Sequence, residues 1–152
     1  MISKLKYVGV RTEDLIEIYI LFVRSISEYC SVAFHSSLTQ KQSNIIERIQ
    51  KTALKVILSE NYVSYEAALE MCGLTSLYQR REERCLTFGI KAIKHLTQKK
   101  MFPLKSEQML NGQVLRGHET FKVNFARTEA YRRSAVPFIQ RKLNNHLNGQ
   151  RQ

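Results

Sequence analysis

The sequence predicts an all-α protein in which about four to five helices pack as an antiparallel array. Before residue 98, apolar residues recur at three- and four-residue spacing over several segments, which is the periodicity of helices with one buried face. Capping residues and short polar connections separate these segments, so neighbouring helices are expected to run antiparallel. Beyond residue 98 the helical periodicity is lost until Ser134.

The first two predicted helices begin at residues that favour helix N-termini. Thr12 precedes two acidic residues, whose charges are favourable in a first turn, and apolar spacing then predicts a helix to about His35 that is buried over a wide face. Thr39 and Gln42 form a capping box, in which each side chain accepts a hydrogen bond from the other residue's backbone N–H. A second helix is therefore expected from Thr39 through Ile57.

Two more helices are predicted before residue 98. The third follows Ser64 and ends at Gly73, because glycine readily adopts the left-handed conformation that terminates many helices. Ser76 and Gln79 form another capping box, and the apolar spacing extends the fourth helix from there to Leu96.

The last third of the chain has a different organisation. Scattered proline and glycine residues predict a mobile surface loop over 99–118. Alternating apolar residues near 121–126 predict a short extended segment with one face against something apolar. Ser134 is expected to cap a final helix that carries Pro137 in its first turn, where a missing N–H costs nothing. The apolar stripe of that helix consists of Ile139, Leu143 and Leu147.

Positive charge is concentrated in the second half of the chain. Residues 1–76 contain eight basic and eight acidic residues, whereas residues 77–152 contain sixteen and five, so the whole excess of +11 lies there. Such asymmetry favours an acidic partner, above all nucleic acid. The alternative is a solvated basic face that only keeps the protein in solution.

The residues needed for polymerase or nuclease chemistry are missing. Two-metal phosphoryl transfer needs at least two carboxylates around a pair of ions, and Asp14 is the single aspartate. Glu82 and Glu83 are adjacent, but arginines flank them and intrahelical ion pairs explain them better. The glycines form no phosphate-binding loop. We therefore expect no catalytic residue, no cofactor and no small-molecule substrate.

The cysteines predict neither a metal site nor a disulfide framework. Cys30, Cys72 and Cys85 are odd in number and contain no Cys-x-x-Cys pair, which favours a reducing intracellular compartment, nuclear or cytoplasmic. The spacing of Cys72 and Cys85 to His95 matches no zinc site. No signal sequence or membrane-length apolar run is found, so no membrane partner is expected.

Basic residues with an aromatic residue among them are the candidate nucleic-acid contacts. Lysine and arginine bind phosphates, and Tyr131 could stack on an exposed base, although a packing role is the alternative for this ring. The candidate phosphate contacts are Arg81, Arg84, Lys91, Lys94, Arg127, Arg132 and Arg133.

The order of several motifs resembles a known family. The first such group consists of Arg24, Glu28, Tyr29, Phe34 and His35, followed by Glu47, Arg48, Gln50 and Lys51. The closing group consists of Arg127, Thr128, Glu129, Ser134, Pro137, Leu143 and Asn144. This order resembles the region downstream of the palm in reverse transcriptases of non-LTR retrotransposons. The resemblance extends over about residues 5–147.

The resemblance implies a part of an RNA-directed DNA polymerase that has no activity of its own. The family's aspartate-pair motif lies upstream of the resembling region and is absent from this sequence. The implied organisation is a thumb-like core over 1–98, a loop or linker over 99–118, and a basic C-terminal part over 119–152 that docks on the same domain. The implied partners are an RNA or RNA–DNA template–primer and the palm of the parent transposable element's polymerase.

The sequence leaves open that the chain is part of an active polymerase whose palm lies upstream. Two alternatives to a nucleic-acid clamp also remain. In one, the chain is a structural domain that packs on the palm and does not touch nucleic acid. In the other, it is the unfolded product of a pseudogene.

Overall fold

The computed structural model describes residues 1–104 and 120–149 and confirms the all-α class. Over these residues no β-strand is formed, and the single sheet-like contact is an isolated antiparallel bridge between Leu104 and Phe121. The helices are more numerous than the four to five predicted, because several predicted helices are divided and short ones are added. The predicted loop over 99–118 lies largely outside the described residues.

The helices follow one another with short connections. In chain order, the α-helices are α1 Ile2–Tyr7, α2 Thr12–Ile18, α3 Ser25–Glu28, α4 Ser31–Phe34, α5 Gln40–Leu58, α6 Tyr65–Met71, α7 Leu77–Ala92, α8 Glu129–Arg132 and α9 Ala135–Gly149. A π-helical segment, Tyr19–Arg24, joins α2 to α3 without a break, and the 3-10 turns are His35–Ser37, Ser59–Asn61 and Gln98–Met101.

Packing divides the chain into two compact units. Unit 1 comprises Met1–Ser31 and Leu38–Glu82, and unit 2 comprises Val32–Ser37 and Glu83–Gln152. Helix α7 therefore contributes its first residues to unit 1 and the remainder to unit 2. These units are defined by packing, and the division into a core, a linker and a C-terminal part stays a prediction.

The first predicted helix is not continuous to His35. The helical path ends at α3, where Tyr29 has an extended ψ of 130° and Cys30 a left-handed φ of 51°. The prediction was also wrong about a wide buried face, since Phe22, Ile26 and Tyr29 are exposed. The prediction failed because Phe22, Ile26 and Tyr29 have the three- and four-residue spacing of a buried helix face, although their side chains point to solvent.

The predicted N-terminal caps of α5, α6 and α7 are confirmed, whereas the hydroxyl of Ser134, the predicted cap of α9, donates to the carbonyl of Tyr131 at 2.7 Å. Thr39 and Gln42 form the complete capping box of α5. Ser64 accepts a hydrogen bond from the backbone of α6, and Ser76 Oγ accepts one from Gln79 N at 3.1 Å at the start of α7. Such caps use side chains within three residues of the helix end, so they could be predicted from local sequence.

The predicted C-terminal end is confirmed for α6 but not for α7. Gly73 follows α6 with a φ of +61°, as expected of a glycine that terminates a helix. Helix α7 stops at Ala92, short of Leu96, whose side chain is exposed. Helix α1 was not predicted, because six residues are too few to display a clear apolar period.

Unit 1 is built around the long helix α5. Its buried side chains are Ile2, Leu15, Tyr19, Ala53, Leu54, Ile57, Leu58, Ala68 and Leu74. A polar chain crosses this core: Tyr19 donates from its hydroxyl to Gln50 Oε1 at 2.7 Å, and Gln50 Nε2 donates to the carbonyl of Thr75 at 2.9 Å. Because both buried polar groups are satisfied, the network fixes the register of α5 instead of weakening the core.

Unit 2 packs α7 against α9. Its buried side chains are Cys85, Ala92, Phe102, Phe121, Ile139 and Leu143, with Leu147 packed beside them, which confirms the predicted stripe of the last helix. The expectation for 121–126 was wrong in part. Phe121 is buried, but Phe125 is 90% exposed, so the alternating residues do not share one buried face.

Candidate nucleic-acid interface

The two units differ sharply in charge. In the described residues of unit 2, eleven lysines and arginines stand against two glutamates, whereas unit 1 holds ten basic and nine acidic residues. The sequence placed the excess in the second half, and the structure places it in one packing unit. A cationic field of this kind attracts polyanions over distances of about a Debye length, roughly 8–10 Å at moderate salt.

Arg81 is not available as a phosphate contact, which corrects the prediction from helical spacing. Its side chain is fully buried in unit 1, and Nη2 donates to Ser43 Oγ at 3.0 Å. The spacing to Arg84 suggested a shared basic face, but one turn of α7 separates a buried position from an exposed one. The role of Arg81 in this structure is to link α7 to the start of α5.

The other three candidates from the fourth predicted helix are exposed. Arg84 and Lys91 lie seven residues apart on α7, so they occupy nearly the same face of that helix. Lys94 follows in the turn after the helix ends, where its side chain is also exposed. All three belong to unit 2, and they form a short basic row on it.

The remaining candidates surround the short helix α8. Thr128 caps this helix by accepting a hydrogen bond from Tyr131 N at 3.3 Å. Arg127, Arg132 and Arg133 are all exposed around it. The "ARTEAYRR" stretch therefore forms a capped turn that presents arginines at both of its ends.

Arg132 is held in a two-point ion pair with Glu129. The Nε–Oε2 distance is 2.8 Å and the Nη2–Oε1 distance is 3.0 Å, with both side chains more than half exposed. The hydrogen bond from Arg132 lowers the pKa of the Glu129 carboxyl, and the same bond raises the pKa of the guanidinium. Arg132 stays charged, but the carboxylate of Glu129 offsets part of its positive field at this surface.

Tyr131 keeps part of its ring accessible. The side chain is 41% exposed, and its hydroxyl accepts a hydrogen bond from Asn124 Nδ2 at 3.2 Å. This bond orients the ring and couples α8 to the segment before it. A partly exposed, oriented ring is compatible with stacking on a base, and also with packing alone.

Five basic residues in the described part of unit 2 were not among the candidates, and two of them lie on α9. Arg141 of α9 donates from Nη2 to the carbonyl of Arg132 at 2.8 Å, which brings its guanidinium to α8. Lys142 lies over the ring of Phe138, 5.8 Å from its centroid. The position of Arg141 opposite the apolar stripe of α9 was visible in the sequence, but its proximity to α8 depends on tertiary packing.

The described residues contain no cluster of three or more histidine, cysteine, aspartate or glutamate side chains that could hold a metal ion. Within the same ranges, no helix has the length and apolar character needed to cross a bilayer. No family model matches the chain, and no curated protein and no solved structure matches it. The resemblance to reverse transcriptases accordingly rests on the sequence motifs alone.

Proposed function

We propose that this chain is a non-catalytic, thumb-like fragment of a retrotransposon RNA-directed DNA polymerase, and that unit 2 clamps an RNA or RNA–DNA template–primer. The observation that carries the binding proposal is the segregation of charge, eleven basic against two acidic residues in the described part of unit 2. The residues proposed to contact nucleic acid are Arg84, Lys91, Lys94, Arg127, Tyr131, Arg132 and Arg133.

Binding of this kind is directed at the backbone. Each lysine or arginine that neutralises a phosphate releases a condensed counterion. On duplex DNA, each such contact lowers the association constant by about 0.9 logarithmic units for every tenfold rise in salt concentration. Phosphate contacts position a protein without reading base sequence. The proposal therefore assigns weak sequence selectivity and strong salt dependence to unit 2.

No reaction is proposed for the chain itself. The one aspartate, Asp14, forms an ion pair with Arg11 at 3.1 Å on the surface of unit 1. A carboxylate engaged in this way, without a second one beside it in the sequence, does not supply the ligands of a two-metal centre. Catalysis is left to the palm of the parent polymerase.

The test is a salt titration of binding with matched charge variants of the full chain. Fluorescence anisotropy with a labelled 20-nucleotide RNA–DNA duplex gives the slope of log Kd against log salt. Arg127→Gln/Arg133→Gln should flatten the slope by roughly one to two units, because two phosphate contacts are lost. This pair leaves the Arg132–Glu129 ion pair intact.

The control removes the same charge from the other unit. Lys4→Gln/Lys41→Gln changes two exposed lysines of unit 1 and should leave the slope within error of the unmodified chain. Equal slopes for the two double variants would show that net charge alone governs binding, and they would refute an interface on unit 2.

An exposed apolar row favours a second function for unit 1, namely packing against the palm domain. Leu21, Phe22 and Ile26 lie on the π-helical segment and α3 with most of their side chains in solvent. We propose that this row is covered in the parent protein. Phe22→Ser/Ile26→Ser should lower dye binding to the isolated chain, and unchanged dye fluorescence would refute the proposal.

A further inference from the structure

Phe125 is the most exposed phenylalanine of unit 2 among the described residues. Its side chain is 90% exposed, whereas Phe102 and Phe121 of the same unit are buried. Lys122 and Arg127, both exposed, flank it within three residues. A large aromatic ring held in water, with two exposed cations close to it in sequence, is a poor packing element and a suitable surface for a planar, anionic ligand.

The backbone on which Phe125 stands is fixed from inside unit 2. Phe121 N donates to Asn144 Oδ1 at 2.9 Å, and Asn144 Nδ2 donates back to the carbonyl of Phe121 at 3.0 Å. Asn124 N donates to Gln140 Oε1 at 3.2 Å. Asn144 and Gln140 are themselves buried on α9.

These bonds hold the chain immediately before Phe125. Gln140 also donates from Nε2 to the carbonyl of Met101 at 3.0 Å, which ties this support to a second part of the unit. The backbone that carries the ring is therefore already ordered, so the entropy cost of ordering this segment when a ligand binds is small.

A second aromatic ring is tied to the same segment. Asn124, the residue before Phe125, donates through Nδ2 to the hydroxyl of Tyr131 at 3.2 Å. Tyr131 precedes Arg132 and Arg133 on the basic turn already described. Aromatic rings set among lysines and arginines are the composition of single-strand binding surfaces, where bases stack and phosphates meet the cations.

We propose that Phe125 is a stacking residue for an unpaired base, so that unit 2 binds a single-stranded RNA or DNA segment in addition to duplex backbone. This inference rests on the proposed nucleic-acid function. Bases inside a duplex already stack on their neighbours and offer no open face, whereas an unpaired base can lie on the exposed ring. The excess of cations in unit 2 favours a polyanion over a protein partner as the occupant of the ring.

The experiment compares single-stranded and duplex probes on the full chain. The probes are a labelled twelve-nucleotide oligouridine and a labelled twelve-base-pair RNA–DNA duplex at one salt concentration. Phe125→Ala should weaken binding of the oligouridine by about 5- to 150-fold, the range expected for loss of one base-stacking contact. Its duplex affinity should stay within about twofold of the unmodified chain, since phosphate contacts remain.

Two further variants keep the test specific. Phe125→Tyr retains an aromatic face and should bind the oligouridine like the unmodified chain. Leu96→Ala removes another exposed apolar side chain of unit 2 and should have no effect on either probe. Circular dichroism of each variant confirms that folding is retained, as expected for changes at exposed positions.

The outcomes separate this inference from the function on which it rests. If Phe125→Ala binds the oligouridine normally while Arg127→Gln/Arg133→Gln binds it weakly, stacking is refuted and backbone binding stands. An equal loss for both probes in Phe125→Ala also refutes stacking on unpaired bases. If the unmodified chain binds neither probe, the proposed function fails, and the inference fails with it.

Discussion

A methyl group added at Gly89 is the sharpest test of the packing in unit 2. Gly89 lies within α7 and faces α9. A Cβ at this position would lie 2.6 Å from Ile139 Cγ2 and 3.1 Å from Leu143 Cδ1. Both neighbours are buried, and the shorter distance is far inside an ordinary carbon–carbon contact of about 3.5–4.0 Å.

Two effects of Gly89→Ala oppose each other. Alanine favours the helix over glycine by about 1 kcal/mol. Overpacking of a core costs about 1–3 kcal/mol, and Ile139 cannot easily turn aside because a β-branched side chain in a helix has one strongly preferred rotamer. We take the upper part of that range, which leaves a net loss of about 1–2 kcal/mol in the free energy of unfolding.

Urea denaturation followed by circular dichroism measures this loss as a lower midpoint. Thr87→Ala is the matched control, because Thr87 is exposed on the same helix and alanine there changes helix propensity without meeting a neighbour. The control should be as stable as the unmodified chain or slightly more so. A Gly89→Ala variant that matches the control would refute the close approach of α7 to α9.

Three further perturbations follow from polar groups that are buried or partly buried. Glu47 accepts hydrogen bonds from the Tyr65 hydroxyl and from two backbone N–H groups at the start of α7, so Glu47→Gln should lower the free energy of unfolding by about 1–2 kcal/mol in urea. Asn144→Ala leaves the backbone N–H and C=O of Phe121 without the side chain that pairs with them, and it should lower the free energy of unfolding by about 2 kcal/mol or more. The backbone amide of Phe121 should also exchange faster with solvent. Burial raises the pKa of the Tyr19 phenol above its ordinary 10.0, so the unfolded chain releases that proton first and stability should fall as pH rises past 10. Tyr19→Phe should make this dependence shallower, and an unchanged pH profile would contradict the burial.

The helix starts could be predicted because their determinants are local. Thr39, Ser64 and Ser76 cap the helices that follow them, and each uses groups no more than three residues away. The break at Cys30 could not be predicted in this way. No glycine or proline marks it, and the apolar period continues across a residue with left-handed backbone.

The candidate site was predictable in composition but not in detail. Charge counting along the sequence placed the excess in the second half, and this excess lies in unit 2. Whether a given side chain reaches solvent depends on packing between distant elements. Arg81 was therefore expected outside and is buried, whereas Phe125 was expected to be covered and is exposed.

Cross-linking of the full chain to RNA tests the central claim most directly. An oligouridine carrying photoreactive 4-thiouridine, irradiated in complex with the protein and mapped by mass spectrometry, reports which peptides lie beside the nucleic acid. The account predicts cross-links in unit 2, within 83–94 and 120–133, that disappear as salt is raised. Cross-links confined to unit 1, or insensitive to salt, would contradict it.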